Sequence, residues 1–125
     1  MKFRLGQFAA TAALMISLQV AARAHHGTAA YDMEKVLTLK GVVTSYEFIN
    51  PHAEVRVSVS DERGNAVAWL AETNNPNRLV RRGWNSHTLK PGDVITIVGN
   101  QAKSGARNLR LTKVILADGT QLDPL

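Results

Sequence analysis

Four histidines and no cysteine are present in this 125-residue chain. A transition-metal site would therefore have to be built from imidazole, carboxylate and main-chain or terminal nitrogen. His25 and His26 stand side by side directly behind Ala22-Arg23-Ala24, a small-residue pattern of the kind that precedes a signal-peptidase cut. A cut after Ala24 makes His25 the first residue, whose α-amine and Nδ1 then chelate one ion together. A cut after Ala22 leaves Arg23-Ala24-His25, with a histidine third, where amine, two deprotonated amides and imidazole form a square-planar nitrogen set. Either terminus suits Cu(II) in geometry and in affinity order. Against this stands a plainer account: paired histidines at a loose end that are only solvated.

His52 follows Asn50-Pro51. Proline fixes its own φ and pushes the residue before it into extended backbone, so His52 enters the next segment from a defined corner. It is expected as a metal ligand or as a hydrogen-bond donor to a neighbouring carbonyl. Glu72 closes a strand-like run that also holds Trp69. Alternation puts those two on opposite faces, with Trp69 toward the core and Glu72 able to face His52 across a hairpin. His87, between Trp84 and a Pro-Gly turn, is expected in a solvated loop.

No G-x-S-x-G, P-loop, H-E-x-x-H or paired-carboxylate arrangement appears, so the motifs offer no enzyme. Arg78, Arg81, Arg82, Lys103, Arg107 and Arg110 are basic, but Trp84 is the one aromatic beyond Trp69. A single-strand nucleic-acid surface interleaves stacking rings with its charges. A solvated helix face plus loop charges is the expectation instead.

The start of the chain has the pattern of an export signal. Lys2 and Arg4 precede a run from Phe8 to Ala22 that is apolar apart from Thr11, Ser17 and Gln19, and no acidic residue occurs before Asp32. Residues 1–24 are read as a cleaved leader, with a periplasmic mature protein and no stable membrane insertion after processing. Lys2, Arg4 and Arg23 leave with it. The net charge of +5 then falls to two, which weakens any argument from basicity for a nucleic-acid partner.

Residues 25–35 show no periodicity and are expected as an N-terminal arm. Val36 to Ile49 is a long β-rich run, with a bulge or bend expected at Gly41. Ala53 to Ser60 alternates, with Ala53, Val55, Val57 and Val59 on the core face. Asp61 to Asn65 is the turn of a hairpin that returns over Ala66 to Thr73. Asn75 and Pro76 start a short helix that Gly83 stops, with Leu79 and Val80 toward the core. After the Pro91-Gly92 turn, Val94 to Val98 is expected to be buried on both faces. Gln101 to Arg107 is a loop and Leu109 to Leu116 the last strand. Three strands, a helix and two strands in this order predict a mainly β, five-stranded OB-fold-like barrel over residues 36–125.

The segments "TLKGVVTSYEFINPH", "WLAE", "LVRRGW" and "TLKPGDVITIVG", behind Ala-His-His, together resemble an uncharacterised family of exported proteobacterial proteins, a domain of unknown function. Asn50-Pro51-His52 and Trp69-x-x-Glu72 are the most specific parts. The resemblance covers Ala24 to Leu122 and implies one periplasmic domain, with no activity attached. Small periplasmic OB-type copper chaperones are similar in size, but they hold Cu(I) with His, two Met and a stacked Trp. Beyond the leader this chain has only Met33, so that site does not carry over. Periplasmic copper-resistance proteins with an N-terminal histidine bind Cu(II) through it and a second His, which is similar to what His25 and His52 offer, on an unrelated sandwich fold.

The sequence thus sets out a periplasmic metal-binding protein, for Cu(II) storage, delivery or tolerance, with His25, His26, His52 and Glu72 as the metal residues. The competing expectation is a metal-free module that recognises a small envelope ligand or a protein partner, anchored by Trp69 and Trp84 or by the loop Gln101 to Arg107.

Overall fold

A computed structural model describes residues 27–125; the expected leader, His25 and His26 lie outside the described residues. A 3-10 turn at Thr28–Ala30 leads into β1 (Tyr31–Glu47), followed by β2 (Glu54–Ser60), β3 (Ala66–Glu72), α1 (Pro76–Arg81), β4 (Val94–Ala102), β5 (Asn108–Leu116) and the short β6 (Gln121–Leu122). The sheet order is β3-β2-β1-β4-β5-β6, and a parallel pairing of β3 with β5 closes five strands into a ring. The remaining pairs are antiparallel. This is the OB-like order expected, with the helix between the third and fourth strands.

Alternation builds the interior. Ala53, Val55, Val57 and Val59 all face the core, joined by Ile95 and Ile97 of β4 and by Leu109, Leu111 and Val114 of β5. The core face of β4 is one-sided, however. Val94 is 42 % exposed, and Thr96 and Val98 are half-buried, which corrects the expectation that β4 is buried on both faces: in this ring one face of each strand meets solvent. The helix likewise commits only Leu79 to the core and leaves Val80 58 % exposed. Six residues make under two turns, and adjacent positions on a helix point in different directions. Trp84 and Leu89 join the same core cluster.

Several boundaries differ from the sequence reading. β1 starts at Tyr31, so the second half of the expected arm is strand. Its pairing with β4 shifts register between Tyr31 and Val36, which breaks the alternation that would have revealed it. The buried Asn100 side chain stabilises the shift by donating Nδ2 to the carbonyls of Asp32 and Met33, both at 3.2 Å. The irregularity of β1 against β2 falls between Val43 and Ser45, not at Gly41. Gly41 instead marks a close approach, since a β-carbon there would overlap the Ser58 carbonyl and lie 2.7 Å from Val57 Cγ1. β4 runs on to Ala102, and Gln101 is buried with Nε2 donated to the carbonyls of Gly105 and Ala106. The tail adds β6, and Trp84 Nε1 donates to the Asp123 carbonyl at 3.3 Å.

Candidate functional site

The β2–β3 hairpin continues past its last strand pair. Ala53 N–H donates to the Asn74 carbonyl at 3.0 Å and Thr73 N–H donates to the Ala53 carbonyl at 2.9 Å. Ala53 is fully buried, so alternation turns its neighbours His52 and Glu54 to the outer face. Glu54 registers with Glu72, and Glu72 registers with Arg110 across the parallel seam. The Asn50–Pro51 peptide before this corner is cis.

Two carboxylates directly opposite each other repel, and each is drawn to a different partner. Arg56 approaches Glu54 at 3.6 Å, while the Tyr31 hydroxyl donates to Glu72 Oε2 at 2.7 Å. Burial pushes the Tyr31 hydroxyl well above the ordinary phenol range. The adjoining Glu72 carboxylate, by hydrogen bond and charge, pushes the same way, and the Asn108 side chain and the Arg110 charge pull against it. Arg110 itself has no ion-pair partner among the described residues. Asn108 Oδ1 is buried without a hydrogen-bond partner among them.

Of these residues Tyr31, Glu72 and Arg110 line one pocket of about 200 Å³, together with His52, Thr73, Asn74 and the Gly27–Thr28 segment. The structure therefore brings His52 and Glu72 together, as the hairpin reading expected, and leaves Trp69 on the other face. Trp69 registers with the buried Val57 and packs half-buried against the core. His87 is exposed in its loop. Among the described residues no three His, Cys, Asp or Glu side chains gather closely enough to hold a metal ion. His52 and Glu72 are the two donors of this kind in the pocket wall, and Gly27 is the residue that follows His26 in the chain.

Sequence reasoning missed Tyr31, which it placed in the arm, and Arg110, which it counted with the surface charges. The ring closure could have pointed to Arg110: in the OB order the end of the third strand meets the start of the fifth. Nothing local marks Tyr31. The helix residues Arg78 and Arg81 and the C-cap Arg82 line an adjoining surface with Asn74, Pro124 and Leu125, where Arg82 pairs with Asp123 at 3.5 Å. Trp84 is 2 % exposed and so cannot serve as the surface anchor considered for a binding module. Among the described residues no helix is long and apolar enough to cross a membrane.

No curated protein matches the chain. Among solved structures, a complex of TiaS with tRNA and ATP is similar at a TM-score of 0.49 and 17 % identity, over 69 % of this chain and 19 % of that one. A ZRD-deleted mutant of TiaS in complex with agmatine is similar at 0.47 and 19 %, over 72 % of this chain and 26 % of that one. The chain thus spans about a quarter or less of either structure's length. A family model described as "Family of unknown function (DUF6152)" matches residues 12–110.

Proposed function

The chain belongs to DUF6152, a family of unknown function, and from that premise we propose that it is an exported metal-binding protein that takes Cu(II) in the pocket at the His52–Glu72 corner. The observation that carries the proposal is the place of Gly27 in the wall of that pocket. Gly27 directly follows the His25-His26 pair in the sequence, and that adjacency is what supports recruiting the pair to this site.

The donor chemistry fits. Once the leader is cut, His25 supplies amine and imidazole, His52 a second imidazole, and His26 or Glu72 completes or orients the set. Nitrogen donors with one carboxylate suit Cu(II) above the other divalent ions of the first transition row. Arg110 opposes a cation in the pocket, and Glu72 offsets its charge. The biological role that follows is storage, delivery or tolerance of copper in the periplasm.

The test is EPR of protein recovered from the periplasm and given one equivalent of Cu(II). A nitrogen-rich square-planar spectrum that changes in His25→Ala and in His52→Ala is the expected result. A spectrum indifferent to both substitutions overturns the proposal.

One observation favours a second reading, a metal-free module. The pocket presents an Arg110 guanidinium without an ion-pair partner among the described residues beside Asn74 and Thr73, which suits a small anionic envelope ligand. A melting temperature raised by small carboxylates or phosphate, and unmoved by Cu(II), would decide for it.

A further inference from the structure

We propose that the cleft between α1 and the tail is a binding site for a dianionic phosphate group, held by the guanidiniums of Arg78, Arg81 and Arg82. The site goes beyond the copper reading and uses none of its ligands.

Spacing makes the cluster. Positions three and four apart on a helix are neighbours on one face, and Arg78, Arg81 and the C-cap Arg82 stand at that spacing. Leu79 is fully buried and fixes how the helix is turned. Asn75 caps it, with Oδ1 accepting from Arg78 N–H at 3.0 Å. The opposite wall is pinned as well: Asn74 Nδ2 donates to the Pro124 carbonyl at 2.8 Å, and Trp84 Nε1 donates to the Asp123 carbonyl. Between helix and tail lies a cavity of about 310 Å³, walled by the three arginines, Asn74, Pro124 and Leu125. Small-ligand sites begin at about 300 Å³.

Like charges at this spacing destabilise a helix. Among the described residues one side-chain carboxylate answers the cluster, Asp123, which approaches Arg82 at 3.5 Å. Arg78 and Arg81 have no ion-pair partner among them. Three positive charges less one leave two, which matches a phosphate monoester above its second ionisation, near pH 6. Guanidinium forks pair with phosphate oxygens two at a time. Among the described residues no aromatic side chain lines the cavity, so it grips the phosphate and gives a base nothing to stack on. A soluble phosphate monoester and a lipid headgroup that ends in phosphate carry the same group.

The experiment uses the processed full-length protein at fixed ionic strength. Glycerol 3-phosphate is the soluble probe, and phosphatidylcholine vesicles containing phosphatidic acid are the membrane probe. Saturable binding of the soluble probe, or of the vesicles alone, supports the site and tells the two sources apart. Arg78→Gln together with Arg81→Gln should weaken it at least about tenfold, the worth of one hydrogen bond to a charged group. Lys103→Gln together with Lys113→Gln removes as much charge from exposed positions elsewhere and should leave binding unchanged. Equal losses in the two pairs would overturn the site in favour of bulk electrostatics. Binding of neither probe, beyond that of phosphatidylcholine alone, would overturn it too. Should the glutamine pair not fold, Arg78→Lys together with Arg81→Lys keeps the charge and removes the forks; undiminished binding there overturns the proposal. His52→Ala should bind phosphate like the parent protein, so failure of the copper site leaves this one standing.

Discussion

Gly99 on β4 lies so close to β5 that a β-carbon there would overlap the Arg110 carbonyl oxygen and come within 3.2 Å of Leu111 Cα. The tight packing sits at the register shift between Val98 and Gly99, and it positions the residue whose side chain walls the pocket. Gly99→Ala must push β5 outward. The expected loss is about 1–3 kcal/mol, the usual range for overpacking, read as a lower urea midpoint. Gly41→Ala, against the Ser58 carbonyl, should cost a similar amount.

The helix offers a sharper contrast between neighbours. Leu79 is fully buried and Val80 is 58 % exposed. Leu79→Ala should cost about 2–5 kcal/mol, whereas Val80→Ala should stay within about 0.5 kcal/mol. Asn75 Oδ1 accepts from Arg78 N–H at 3.0 Å, so Asn75→Ala should cost about 1 kcal/mol. Denaturant unfolding of the three variants reads all of these, and a large loss in Val80→Ala would contradict the helix orientation.

Alkaline titration gives an independent check, because the chain has only two tyrosines. Burial pushes the Tyr46 hydroxyl up from 10.0 to about 12, and Tyr31 is also raised. The folded protein holds these protons more tightly than the unfolded chain does. The stability this contributes is fully present below pH 10.0 and is lost as the pH climbs from there toward about 12. Ultraviolet absorbance should show almost no tyrosinate at pH 10.0 in the native state, and its appearance at higher pH should coincide with loss of folded signal. Half-ionised tyrosine in a folded protein at pH 10.0 would refute the burial of both rings.

Copper should stabilise the processed protein in proportion to its excess over Kd, by about 2.7 kcal/mol at a hundredfold excess. Calorimetry should show a melting temperature raised by Cu(II) and returned by a chelator. His87 is exposed and outside the pocket wall, so His87→Ala should behave like the parent protein, and His52→Ala should lose most of the shift.

The ring was legible because its signals are local. The alternation of Ala53 to Val59, the Asp61–Asn65 turn, the Asn75–Pro76 helix start and the Pro91–Gly92 turn each follow from a few adjacent residues. Half of the candidate site was legible too, since His52 enters and Glu72 ends the two arms of one hairpin. Tyr31 and Arg110 were not. Tyr31 is strand because Asn100, far along the chain, accommodates a bulge with its side-chain amide. Arg110 matters because of a parallel pairing that no short stretch encodes. The outward facing of Val80 and Val94 has the same origin, as composition reports hydrophobicity and only the packed ring decides which side meets solvent.

The parallel seam joins β3 to β5 through just Leu70–Asn108, Ala71–Leu109 and Glu72–Arg110. The other junctions of the ring are antiparallel, whereas this one joins strands 38 positions apart, Leu70 to Asn108, across the helix and β4. The pocket straddles that last stitch, so a nascent or partly folded chain has no finished cavity in which a ligand can settle. Whatever the protein holds there, it can hold only once β5 has docked on β3, a long-range contact.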